Sequence, residues 1–423
     1  MNKVRLVVWP MAMLGTAAFF YLYEFLLRVA PGAMFSELMR DFSITATDLG
    51  LLSSFYFMSY ALLQAPVGVF TDQYGPRRLL TLASALCGLG ALLFGYTDSF
   101  WAACLCRLIV GAGSAFAFIC CMKIAGVWFK PQYFPLLAGL VLTLGNAGAV
   151  VGQGPVTVAL QFIDWRDFTR YTGYVGIGLT LILWLVVRDN PNQIAVNPSK
   201  STGSRAGFFE LLGQLLKHPQ NWLIGLYGFL STAPTDAFGG LWAVPYLVDA
   251  HGLSHIAAAT AASMTFVGVG CGSPFLGWLS NRIRNRRRVM AIGAFGAMIS
   301  LLLVIYLPSL TLQSSGLLLF LFGFFGSYVM TFVVIQEINS TRLVGTAAGF
   351  ANMMSIMGST LLQYAIGRSL DIFWDGSIHD GLPRYSTHAF QMSLLVLPAC
   401  YALCLFVLVP MIKESYNRKL SHS

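Results

Sequence analysis

Gly68-Val-Phe-Thr-Asp72-Gln-Tyr-Gly75-Pro-Arg77-Arg78 closes one long apolar run, and Gly277-Trp-Leu-Ser-Asn281-Arg-Ile-Arg-Asn-Arg286-Arg287 closes another. Each has a glycine, a polar residue four positions on, and a basic pair at the same further distance. The offset is 209 residues, close to half of the 423-residue chain. Chance can match a glycine and two arginines, but not also place them at the same point after an apolar run. A duplicated helical unit explains both copies.

The chain around these turns is 57% hydrophobic and 10% charged, with a mean hydropathy of +0.69. A soluble domain carries roughly 25% charged residues, so most of this surface must face lipid. Apolar runs lie at about 8–32, 47–71, 79–97, 101–123, 134–161 and 169–188. They resume at about 221–248, 256–280, 289–308, 312–336, 343–370 and 388–412. Each is long enough for a bilayer-spanning helix. The expected fold is therefore an all-α polytopic membrane protein with twelve transmembrane helices in two pseudo-symmetric six-helix bundles. Residues 1–188 form the first bundle, 189–220 a cytosolic linker, and 221–423 the second.

With a cytosolic N-terminus, 19 lysines and arginines fall on cytosolic segments and six on the opposite side, with Arg107 left inside a span. The positive-inside rule then places both termini in the cytosol. It also accounts for the net charge of +9 without nucleic acid, because the basic residues flank the membrane. The first run carries Glu24 and Arg28 and has no small-residue cleavage pattern before Pro31, so it reads as an uncleaved helix. The expected location is a bacterial inner membrane. All eight cysteines fall in spans, which argues against a disulfide framework or a zinc site. Within the linker, Phe208, Phe209, Leu211, Leu212, Leu215 and Leu216 recur at helical spacing. Either an interfacial amphipathic helix or a soluble linker turn fits them.

The Gly68, Asp72, Gly75, Arg77, Arg78 turn resembles the signature loop of the major facilitator superfamily. Arg107-Leu-Ile-Val-Gly111-Ala-Gly113 resembles its second signature, and Gly345-Thr-Ala-Ala-Gly349-Phe-Ala-Asn352 is similar to its usual opening of span eleven. The resemblance implies secondary transport by alternating access. It further implies that Asp72 and its arginines brace the cytosolic side against the start of span eleven, with Ser340 and Thr341 available to cap that helix. A solvated loop charge is the plainer reading of Asp72. Asn281 replaces the acid in the second copy, so a charge relay there is expected to be one-sided. The glycines of span five depart from the antiporter spacing, which weakens an exporter assignment.

Ionisable groups inside spans cost roughly 2.5–3.5 kcal/mol each on insertion scales and point to function. Glu24, Arg28, Arg107 and Asp236 are the four. Glu24 lies about 22 Å from the cytosolic side and Arg107 about 9 Å from the other, at 1.5 Å per residue; these share one depth in a 30 Å hydrocarbon layer. Asp236 falls at about 21 Å in the second half. Glu24 and Arg28 are i,i+4 neighbours with Tyr21 on the same face. A structural ion pair would explain them. So would proton coupling through Glu24, with Arg107 as its counter-charge and Asp236 in the same layer.

Polar stripes add candidate cavity residues: Tyr56, Tyr60 and Gln64 in span two, Asn146 and Gln153 in span five, and Asn352 and Gln363 in span eleven. Each stripe fits interhelical hydrogen bonding as well as a binding surface. Spans three, six, nine and twelve have no central ionisable residue and are expected to face lipid. His251 and His255 flank one turn without a third ligand, so no metal is expected, and no cofactor or enzyme signature is present. No nucleotide-binding Gly-x-x-x-x-Gly-Lys-Ser loop exists to couple ATP. The expected function is proton-coupled movement of a small polar or zwitterionic solute, such as an amino acid or short peptide. Efflux of a drug or siderophore, or a sensor without turnover, are the alternatives. A monomer suffices, since each chain holds both halves.

Overall fold

The computed structural model describes residues 3–64, 66–189, 205–326, 328–340, 343–379 and 382–416. These are almost wholly helical. In the first half come α1 (Lys3–Ala33), α2 (Phe35–Phe42), α3 (Ala46–Gln64), α4 (Val67–Phe94), α5 (Phe100–Ser114), α6 (Ala117–Trp128), α7 (Phe134–Val151), α8 (Gly154–Ala159) and α9 (Trp165–Val186). The second half has α10 (Arg205–Leu216), α11 (Pro219–Pro234), a π-helical segment (Thr235–Trp242), α12 (Ala243–His251), α13 (His255–Ile283), α14 (Arg286–Tyr306), α15 (Leu312–Phe325), α16 (Val329–Ile338) and α17 (Val344–Ile372). A two-residue strand pair, Ile378–His379 with Leu382–Pro383, precedes α18 (Thr387–Leu394) and α19 (Val396–Leu403).

Among the described residues, eight helical stretches are long and apolar enough to cross a membrane, from Trp9–Ala33 to Thr387–Met411. The runs expected at 47–71, 169–188, 221–248 and 343–370 are also helical but too polar to pass that test. Two of those four, at 47–71 and 343–370, lie along one another at the seam between the halves, where Ser54 bonds across it.

The seam is made where α3 lies along α17 and α7 with α8 lies along α13. One apolar core gathers the first half from Met13 to Val187 together with Phe266 and Ile356 of the second. The other joins the second half to Ala30–Leu52 and Trp165 of the first. The halves are thus sealed at the end away from Met13 and Arg188, here called the far face. Five hydrogen bonds between described residues cross the seam. Asp371 Oδ2 accepts from Thr45 Oγ1 at 2.6 Å and from the Thr47 N–H at 2.8 Å, and Tyr385 Oη accepts from the Ala46 N–H at 3.0 Å. Ser54 donates to the Thr360 carbonyl at 2.7 Å, and Gln153 to that of Gly239 at 2.6 Å. The backbones approach so closely that a Cβ on Gly50 would lie 2.5 Å from the Gln363 carbonyl oxygen. The Gly148/Gly152 and Gly268/Gly272 pairs serve the same close packing against α1 and α15.

α10 forms where the linker residues were spaced for a helix. Leu215 is fully buried, and the Leu215 and Leu216 carbonyls accept from Asn221 and Trp222, so its end is docked on the second half. Linker residues 190–204 lie outside the described residues.

Candidate functional site

Glu24 and Arg28 face inward from α1 one turn apart. Glu24 is 0% exposed. Arg28 Nη2 lies 3.4 Å from each Glu24 oxygen. Tyr56, from α3, closes a triangle: its hydroxyl donates to Glu24 Oε2 at 2.7 Å and accepts from Arg28 Nε at 3.2 Å. The guanidinium is further boxed by rings, with Cζ 4.0 Å from the Phe25 centroid and 5.0 Å from Tyr60. Such cation–π contacts strengthen when desolvated. Tyr60 stacks on Tyr56 at 6.1 Å. Tyr21 packs edge-on to Phe25 at 4.9 Å and against Phe118.

Asp236 faces this cluster from the second half. It sits in the π-helical segment, a distortion often found at functional sites. Its Oδ2 accepts from Ser359 at 2.7 Å, and Gln363 donates to its backbone carbonyl at 3.3 Å. The Asp236 carboxylate and the Arg28 guanidinium lie within electrostatic range of one another. Tyr328 reaches the same group of charges.

Arg107 corrects one expectation. It does not bond the Glu24 carboxylate; Arg28 holds that role. Arg107 Nη1 donates to the Leu27 carbonyl at 2.7 Å and Nη2 to that of Arg28 at 3.2 Å, with Cζ 4.8 Å over the Tyr56 ring. It is a brace beneath α1 rather than the partner of the acid. Gln153, as above, spans the seam. Gln64 donates to the Ala115 carbonyl at 3.2 Å within the first half, and Asn146 to its own helix at Leu142. Asn352 is half-buried on α17, two turns before Ser359.

At the signature turn, Gly75 adopts φ 77° and ψ 156° inside α4, a region essentially open to glycine alone. The reason is Asp189. Its Oδ1 would lie 2.5 Å from a Cβ there, and it accepts from the Arg77 N–H at 3.0 Å. Arg77 also donates to the Trp184 carbonyl and lies 4.0 Å over its ring, while Arg78 is exposed. Gly68 is open, and the Asp72 side chain lies outside the described residues. The Ser340 cap does not form: α17 starts at Val344 after Leu343, with no side-chain cap, and Thr341 is outside the described residues.

The second loop copy is not one-sided. Arg286 donates to Asn281 Oδ1 at 2.8 Å and pairs with Glu337 at 2.7 Å, so the missing acid is supplied from α16. Glu414, in the tail, accepts from the Arg286 and Arg287 N–H groups. His251 bonds Tyr246 and the Leu310 N–H, and His255 stacks on Phe35.

A family model described as Major Facilitator Superfamily matches residues 13–362. The chain belongs to this superfamily. Its membership makes it a multi-pass membrane protein with a transporter fold. As a superfamily member it is 24% identical over 394 residues to the membrane sensor protein UhpC of Salmonella typhimurium, covering 89% of this chain and 87% of that one. It is 22% identical over 406 residues to a probable hexose phosphate transport protein of Chlamydia pneumoniae, covering 88% of each. Its fold matches an inward-facing, unoccupied bacterial homologue of the human lysosomal transporter Spinster, with a TM-score of 0.77, 19% identity and 97% of each chain covered. It also matches a mutant of the nucleoside transporter NupG with a TM-score of 0.73, 13% identity, and 95% of this chain and 100% of that one covered.

Proposed function

We propose that this superfamily member is a proton-coupled secondary transporter of a small zwitterionic solute, such as an amino acid or short peptide. Twelve spans in two bundles carry it across a bacterial inner membrane, with both termini cytosolic. The single supporting observation is the arrangement around Arg28: one buried cation clasped by Glu24 and Tyr56 on one half, with Asp236 opposite on the other. A solute with both charges would set its carboxylate on Arg28 and its amine toward Asp236. Protonation of Glu24 removes the charge that holds Arg28 and releases the guanidinium to the solute. Solute binding and protonation then favour each other, which is the coupling a symporter needs. The far-face seal fits a chain open toward its termini.

The names of the Chlamydia relatives favour a second reading, a hexose phosphate. Against it, a phosphate on Arg28 meets two carboxylates, and like charges so placed are costly. Proteoliposomes under an imposed pH gradient separate the readings. Accumulation of amino acids or dipeptides supports the proposal. Uptake of hexose phosphate alone, expulsion of lipophilic compounds, or binding without counterflow would each replace it.

A further inference from the structure

Arg107 is 4% exposed and lies among helices of the first half, with no carboxylate bonded to it among the described residues. Its two terminal nitrogens are spent on the carbonyls of Leu27 and Arg28, and its Nε–H is buried with no acceptor. Glu24 is spent on Arg28 and Tyr56. A buried charge in that position is strongly disfavoured unless something neutralises it.

Beside Arg107 is a partly open cavity of about 30 Å³ between α1, α4, α5 and α9. Ala91, Phe94 and Phe168 form apolar walls, Thr169 and Thr172 also line it, and Arg107 is the one charged residue among its described lining. The Thr172 carbonyl is turned to Tyr23, which donates to it at 2.9 Å. A space of this size admits about one to three water-sized species.

We propose that this cavity binds a small monovalent anion of halide size as the counter-ion of Arg107. The orphan Nε–H is its donor, and the threonine hydroxyls, which now donate to the Trp165 and Thr169 carbonyls, are within the same lining. Apolar walls favour weakly hydrated chloride or bromide over fluoride. Because Arg107 grips α1 at Leu27 and Arg28, occupancy stiffens the turn that presents Arg28 to the central site. The anion acts from outside the solute pathway, so this inference does not depend on the solute.

The test is the melting temperature of the purified full-length protein, with chloride, bromide or fluoride replacing gluconate at constant ionic strength. A saturable upward shift with bromide and chloride, smaller with fluoride, is expected. Ala91→Leu, which fills the cavity and keeps Arg107, should lose the shift. Should that variant not fold, crystals of the unaltered protein in bromide give an independent reading, an anomalous peak beside Arg107. Equal melting in all salts, a shift that persists in Ala91→Leu, or a cavity holding only water in bromide would each overturn the proposal.

Discussion

Tyr56 bonds both members of the Glu24–Arg28 pair, donating to the acid at 2.7 Å and accepting from the guanidinium at 3.2 Å. A third polar group thereby fixes the geometry of a buried ion pair whose own contacts are long, at 3.4 Å. The pair is poised to separate.

Replacing Glu24 with Gln keeps the shape and removes the titrating charge. Accumulation driven by a pH gradient should vanish while solute exchange across a membrane without a gradient persists. Unchanged accumulation in proteoliposomes would sink the proton assignment.

Asp236→Asn leaves a group that Ser359 can still bond but removes the charge for a solute amine. A charged hydrogen bond contributes about 1.5–3 kcal/mol, so affinity for a zwitterion should fall by about 10- to 100-fold. Isothermal titration reads this, and an unaltered affinity would place the amine elsewhere.

Asp371 holds the N-terminal turn of α3 across the seam. Asp371→Asn should weaken the far-face closure. Alkylation of a cysteine introduced at Leu49, fully buried in the seam, should become several times faster, on the order of the tenfold that about 1.4 kcal/mol would give. An unchanged rate would show that apolar packing alone closes the face.

Gly75→Ala forces a Cβ toward Asp189 in a backbone region essentially closed to other residues. The strain is about 1–3 kcal/mol, read as a lowered melting temperature. Adding Asp189→Gly relieves the contact but not the backbone, so rescue should be partial. Full rescue would mean that φ carries no strain.

Burial opposes ionisation of Glu414, but the N–H groups of Tyr416, Arg286, Arg287 and Ser415 outweigh it and hold the carboxyl below its ordinary range. A lowered folded-state pKa adds stability above the unfolded pKa, and that stability is lost as pH falls through the folded value. Glu414→Gln should therefore melt lower at neutral pH and converge on the parent in acid. A constant difference across pH would assign the residue a purely steric role.

The duplicated turn, the apolar runs and the i,i+4 pair on α1 were legible in the sequence because each is a local pattern. Depth counting sets Arg107 in one layer with Glu24, and the structure sets it on the Leu27 and Arg28 carbonyls, one turn along the same helix. Counting gives no azimuth, so it does not distinguish the Glu24 carboxylate from the carbonyls of the same helix that Arg107 meets. Tyr56 stands in a polar stripe of span two; its bond to Glu24 joins residues 32 positions apart, which periodicity does not encode. Asp189 looked like the start of a linker, and only the folded return of α9 brings it under Gly75. The π-helical segment around Asp236 left no signal beyond its paired glycines.

Gly50 has further meaning for how the molecule moves. Its neighbour across the seam is a main-chain carbonyl, and Gly367 likewise lies against the backbone at Ala46. Two main chains in such contact have no flexible groups between them to absorb a tilt, so the halves either mate or part. One added methyl there is a wedge: it would prop the far face ajar without touching any charged residue. Carriers arrested in a chosen posture are therefore within a single codon change of this sequence.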